Sequence, residues 1–165
     1  GDVQRVVDHC AAQAGADPMC ALADPNWSVS AAQAGPRYRL APDAPMPASA
    51  ADPRVRAAVL LAPLTVPLRP DSLAALPSAL MVVTATHDEI LAPRFHGQPW
   101  AALNSRAKIE VEPRAGHFSF MTSVPAERRA MLAQAGTDPA GFDREQFQRE
   151  LAVRIIGFLD RTTGR

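Results

Sequence analysis

The chain has no surplus of charge, no long apolar run and little cysteine, and each shortage removes a class of function. Seventeen Lys and Arg balance seventeen Asp and Glu in 165 residues, for a formal charge of zero and a pI near 7.1. Proteins that grip nucleic-acid phosphates or anionic membrane surfaces need clustered basic charge, so neither partner is expected. No run of about 18 apolar residues occurs, so no membrane-spanning helix is expected. The opening residues carry no basic-then-apolar targeting segment, yet the chain starts on Gly1 rather than Met. It is therefore expected to be a processed product or a piece of a longer one. At 47% hydrophobic residues it has enough apolar side chains to fold, and its length suits one domain.

The two cysteines, Cys10 and Cys20, are ten residues apart, which is not the C-x-x-C spacing of a redox or zinc site. With four histidines in the chain, no metal centre and no cofactor are read. Two readings of the cysteines stand open: a disulfide closing a short loop, or two small buried thiols. A disulfide implies an oxidising compartment, and a periplasmic or secreted location is favoured on that condition. Proline is in excess, 16 in 165 or roughly twice average usage. Much of it falls between Pro36 and Pro70, which should be loop.

Three segments follow. In 1–23, Val3, Val6, Val7, Cys10 and Ala14 recur at helical spacing, predicting an amphipathic helix over 2–14 ended by Gly15 and Pro18, then a cysteine loop. Residues 24–52 lack periodicity and read as an irregular excursion with room for one short helix. The core is 53–165. Val55–Ala62, Leu80–Ala85 and Lys108–Glu112 are short runs that fit strands buried on both faces, as in a parallel sheet flanked by helices. Phe95, Trp100 and Leu103 suggest a crossover helix over 94–106, against which Pro99 argues. Asp143 is placed to cap a C-terminal helix, with Gln146 completing a capping box and Phe142 and Phe147 a hydrophobic staple. Phe147, Leu151, Ile155, Phe158 and Leu159 would be its buried stripe. The fold class is α/β, with mainly parallel strands. Three strands are few for such a sheet, so the domain is expected to be incomplete without an N-terminal part.

Ligands and catalytic groups of open α/β sheets lie beyond the carboxyl ends of the strands. Two polar clusters occupy that place: Thr86-His87-Asp88-Glu89 after the second strand, and Gly116-His117-Phe118-Ser119-Phe120 after the third. One helix and one strand fit between Asp88 and His117, so the two can meet at neighbouring strand ends. A carboxylate and a histidine so ordered are the acid and base of a Ser-His-Asp arrangement: the acid holds the Nδ1 proton and the other ring nitrogen exchanges a proton with the nucleophile. Glu89 rivals Asp88 for that role. A metal reading of His87, Asp88 and Glu89 is weak, because consecutive side chains point apart. Gly116 would allow a tight turn, while Phe118 and Phe120 would shield the imidazole. His9 reads as a surface residue and His96 as structural or edging a pocket. Trp27 and Trp100 line a pocket or pack in the core, and Asn26-Trp27-Ser28 matches a glycosylation sequon by chance.

Four stretches, DPRVRAAVLLAPL, LPSALMVVTATHDEILAP, KIEVEPRAGHFSFM and GFDREQFQRELAVRIIGFLDR, together resemble the C-terminal half of an α/β-hydrolase, most nearly the bacterial dienelactone-hydrolase-like proteins. They cover most of 52–161. The resemblance implies that Asp88 is the acid and His117 the general base of a serine esterase or lactonase acting on a small ester or lactone. The family's nucleophile sits in G-x-S-x-G, and no such pentapeptide is present: Ser28 and Ser30 lie in WSVSA and Ser49 in PASAA. The resemblance therefore implies that the nucleophile belongs to an upstream partner segment, the N-terminal half of the same protein. That half is either part of one longer chain or a separate associated one. The alternative is a non-catalytic domain of the same shape that binds or scaffolds.

Overall fold

The computed structural model describes residues 2–13, 15–22, 52–129, 131 and 136–164. All but Asp52 of the expected excursion lies outside them, along with Trp27, the sequon, Ser28, Ser30 and Ser49. Three parallel strands form the sheet among the described residues: β1 (Ala57–Leu61), β2 (Ala79–Ala85) and β3 (Lys108–Glu112), in the order β1-β2-β3. Val59 lies opposite Met81, and Val83 opposite Glu110. The class is α/β.

β2 is the centre of the packing because both of its faces are apolar. Met81 and Val83 face one core, shared with Phe147, Leu151 and Phe158; Leu80 and Val82 face another, shared with Leu73 and Trp100. The first core is roofed by the C-terminal helix. The second is closed by the segments that link the strands. α1 (Val3–Gln13) and α2 (Met19–Leu22) precede β1, and α3 (Pro70–Ala74) joins β1 to β2. Val7, on the stripe expected to be buried, is 55% exposed.

The expected crossover helix over 94–106 is instead two short pieces, α4 (Pro93–His96) and α5 (Trp100–Leu103). Pro99 has no N–H to continue the first helix, and its fixed φ of −63° starts the second. Trp100 still reaches full burial. β3 also departs from expectation: Val111 is 61% exposed, and Glu110 and Glu112 on the other face pair with Arg154. Its charged alternation suits a strand lacking a second neighbour among the described residues.

After a 3₁₀ turn (His117–Phe120) and α6 (Ala126–Arg129), the chain ends in α7 (Arg144–Thr163). Asp143 caps it, its side chain accepting from Gln146 N at 2.9 Å. The reciprocal half of the capping box does not form, because the Gln146 side chain turns forward to Glu150 at 2.8 Å. The staple does form, with the Phe142 and Phe147 rings 5.2 Å apart. Phe147, Leu151, Ile155, Phe158 and Leu159 all pack in the first core. No helix among the described residues is long and apolar enough to cross a membrane.

Candidate active site

The tips of β2 and β3 continue past the sheet side by side. Thr86 N–H donates to Glu112 O at 3.0 Å and His87 N–H to Ala115 O at 3.0 Å, stitching the two outgoing loops together. That stitch brings Asp88 to His117. Asp88 Oδ1 accepts the backbone N–H groups of Ile90 (3.0 Å) and Leu91 (2.6 Å), which fixes the carboxylate. Its other oxygen, Oδ2, is left for His117 Nδ1 at 2.9 Å. An ionised carboxylate only accepts, so Nδ1 carries a proton, and in the neutral imidazole the lone pair is then on Nε2. Nε2 makes no hydrogen bond to a described residue. The carboxylate is nearly enclosed (side chain 5% exposed) while the imidazole stays open at 22%.

The neighbouring residues sort themselves around this pair. Glu89 does not compete for the imidazole; its Oε2 accepts the His117 backbone N–H at 3.4 Å. Gly116 does not serve a tight turn, since its φ is −96°; a Cβ there would lie 2.9 Å from Glu89 Oε2, the mobile end of an exposed side chain. Phe118 meets the His117 ring edge-on at 5.1 Å, but Phe120 turns inward onto Phe147 at 5.5 Å. His87 is exposed, as its position between two strand-end loops allows. Ser119, the serine nearest in sequence, is 1% exposed and committed to Asp138, to which its hydroxyl donates at 2.9 Å. The pair can thus hold an imidazole ready to take a proton from a hydroxyl.

A second histidine–aspartate group lies near the first. Asp17 is 1% exposed, and its Oδ2 meets His9 Nε2 at 2.7 Å and His96 Nε2 at 2.9 Å. His9 is therefore half-buried and bonded, not a free surface residue; the Cys10–Cys20 disulfide folds the intervening loop back against α1. Thr65 N–H donates to His96 Nδ1 at 3.2 Å, so that nitrogen is unprotonated and Nε2 must be the donor to Asp17. Burial holds the His96 imidazole below its usual pKa, against the opposing pull of Asp17. Burial alone would raise the Asp17 carboxyl; hydrogen bonds from His9 and His96 outweigh it and leave the pKa below the ordinary value.

His9, Asp17 and Cys20 present donor atoms within 4.8 Å of one another, but Cys20 is spent in the disulfide and His96 Nε2 carries a proton. The donor chemistry is that of a buried hydrogen-bond hub rather than a metal centre. A void of about 10 Å³ bordered by Ala62, Asp88 and His96 separates the hub from the dyad. Ala62, at the end of β1, takes a left-handed φ of 43°, unusual for a residue with a Cβ. Sequence reading missed this hub, because nothing about Asp17 in Gly-Ala-Asp-Pro marks it as buried. The pairing of Cys10 with Cys20 was the one available signal.

No protein-family model matches the chain, and neither a curated protein nor a solved structure matches it.

Proposed function

We propose that this chain is the C-terminal half of an α/β-hydrolase, in which Asp88 and His117 are the acid and base of a serine esterase or lactonase. The nucleophilic serine would come from an upstream segment of the same protein. The reading is supported above all by the Asp88–His117 contact of 2.9 Å at the tips of adjacent parallel strands. In the reaction, Nε2 takes the serine proton as the hydroxyl attacks the ester carbonyl, then delivers it to the departing alcohol. Asp88 keeps Nδ1 protonated and stabilises the transient imidazolium. The sequence holds no G-x-S-x-G pentapeptide, so on this reading the isolated 165-residue chain should not turn over esters.

The test is made on the complete gene product. A fluorophosphonate probe should label a serine upstream of Gly1, and His117→Ala should lower turnover of a small ester by about a thousandfold or more. Unchanged turnover in that variant would overturn the reading. It would favour a non-catalytic domain that binds or scaffolds.

A further inference from the structure

The loop that carries His117 is also held by a series of largely buried polar contacts. Arg144, the first residue of α7, is 6% exposed in its side chain and directs Nε to both oxygens of Asp138, at 3.1 and 2.8 Å. Its Nη2 donates to Thr137 O at 3.1 Å, steadying the segment on which Asp138 sits. Asp138 Oδ1 accepts the Ser119 hydroxyl at 2.9 Å. The same hydroxyl oxygen accepts the Gly116 N–H at 3.0 Å. These bonds therefore run from the long helix to the N–H of Gly116, the residue before His117.

We propose that Asp138, acting through Ser119, is a positioning residue for His117. This rests on the reading of His117 as a general base. The hydroxyl has a single proton to give. Gly116 N–H occupies a lone pair, so the proton goes to Asp138, and the carboxylate thereby sets the hydroxyl rotor. A 3₁₀ turn of four residues has poor internal hydrogen-bond geometry and relaxes without outside support. Apolar packing by Phe120 on Phe147 already ties the far end of the turn to α7. The polar chain acts at the near end, where a shift of about 0.5 Å would spoil the Nδ1–Asp88 contact.

Asparagine at 138 shows how specific this is. Its amide oxygen would stay with Arg144, leaving the NH₂ facing a hydroxyl that already receives one donor. Ser119 would then have two donors and no acceptor for its own proton.

The experiment uses the complete gene product labelled with ¹⁵N-histidine, studied by NMR at pH 8.5, with His117→Gln identifying the signals. In the parent, His117 should be the Nδ1–H tautomer with a low-field proton resonance. In Asp138→Asn that resonance should be lost and the tautomer should shift to Nε2–H, while the His9 and His96 signals stay in place. Ser119→Ala, which removes one atom, should do the same and serves if Asp138→Asn does not fold. A folded variant of either kind with unchanged His117 signals overturns the proposal and leaves the chain a purely structural anchor. A parent already in the Nε2–H form, or an Asp88→Asn variant with unaltered His117 signals, would instead overturn the acid–base reading itself.

Discussion

Asp17→Asn should weaken the fold more than any exposed carboxylate change, and the size of the effect follows from its contacts. The carboxylate accepts two imidazole N–H groups through Oδ2 and the Met19 N–H through Oδ1 at 3.3 Å, at a residue 1% exposed. Hydrogen bonds to a charged group contribute about 1.5–3 kcal/mol and neutral ones about 0.5–1.5, so neutralising the acceptor removes about 1 kcal/mol from each imidazole bond. The amide NH₂ also replaces Oδ1 and faces the Met19 N–H, donor against donor, for about 1 kcal/mol more. The total is about 3 kcal/mol, which for a chain of this size lowers Tm by about 6–12 °C. Urea unfolding at pH 7, followed by circular dichroism and tryptophan fluorescence, measures it. Trp100 is a suitable reporter, since its indole N–H donates to Thr65 Oγ1, which donates in turn to His96 O. Asp8→Asn is the control: Asp8 is exposed, on the same helix, and bonded to Gln4 alone, so its change should stay within about 0.5 kcal/mol. If Asp17→Asn proves no worse than that control, the hub is not holding the structure together.

The hub also sets the direction of acid sensitivity. Because the folded His96 pKa is depressed by burial, the unfolded chain takes up a proton below about pH 6.5 that the folded chain refuses. Stability therefore falls as pH drops from that point, by up to about 1.4 kcal/mol per unit from this residue. Asp17 adds to the loss in more acid solution: its stabilisation is present above about pH 3.9 and disappears as pH falls through the lower folded value. The Asp17→Asn variant should keep the first component and lose the second, and His96→Gln should lose the first.

Two further outcomes follow from local geometry. The Cys10–Cys20 bond closes a ten-residue separation, and chain entropy assigns it about 2–3 kcal/mol, so reduction with a phosphine should lower Tm; a Tm unmoved by reductant would show that the bond does not form. Asp143→Ala removes the side-chain acceptor of Gln146 N–H at the start of α7 and should lose about 1 kcal/mol in a urea titration, whereas no change would mean that water serves that N–H equally well.

Sequence alone determined the elements whose signal is local. β2 was legible because a strand buried on both faces must be apolar at every position, and the stripe of α7 because one helix face is buried every third or fourth residue. The Asp88 and His117 positions were legible for a related reason: chain length between two strand ends limits where their loops can meet. Reading went astray where neighbours in space decide the outcome. Charge in Lys-Ile-Glu-Val-Glu goes with a strand that has one neighbour among the described residues and with the approach of Arg154, neither of which is written in those five residues. Pro99 divided a helix that apolar spacing alone would have continued. Tertiary structure alone decided the two buried polar systems. Asp17 meets histidines 8 and 79 positions away, and Ser119 meets an aspartate 19 positions on. A buried polar group is tolerated only where distant partners satisfy all its hydrogen bonds at once, and no local pattern encodes such a convergence.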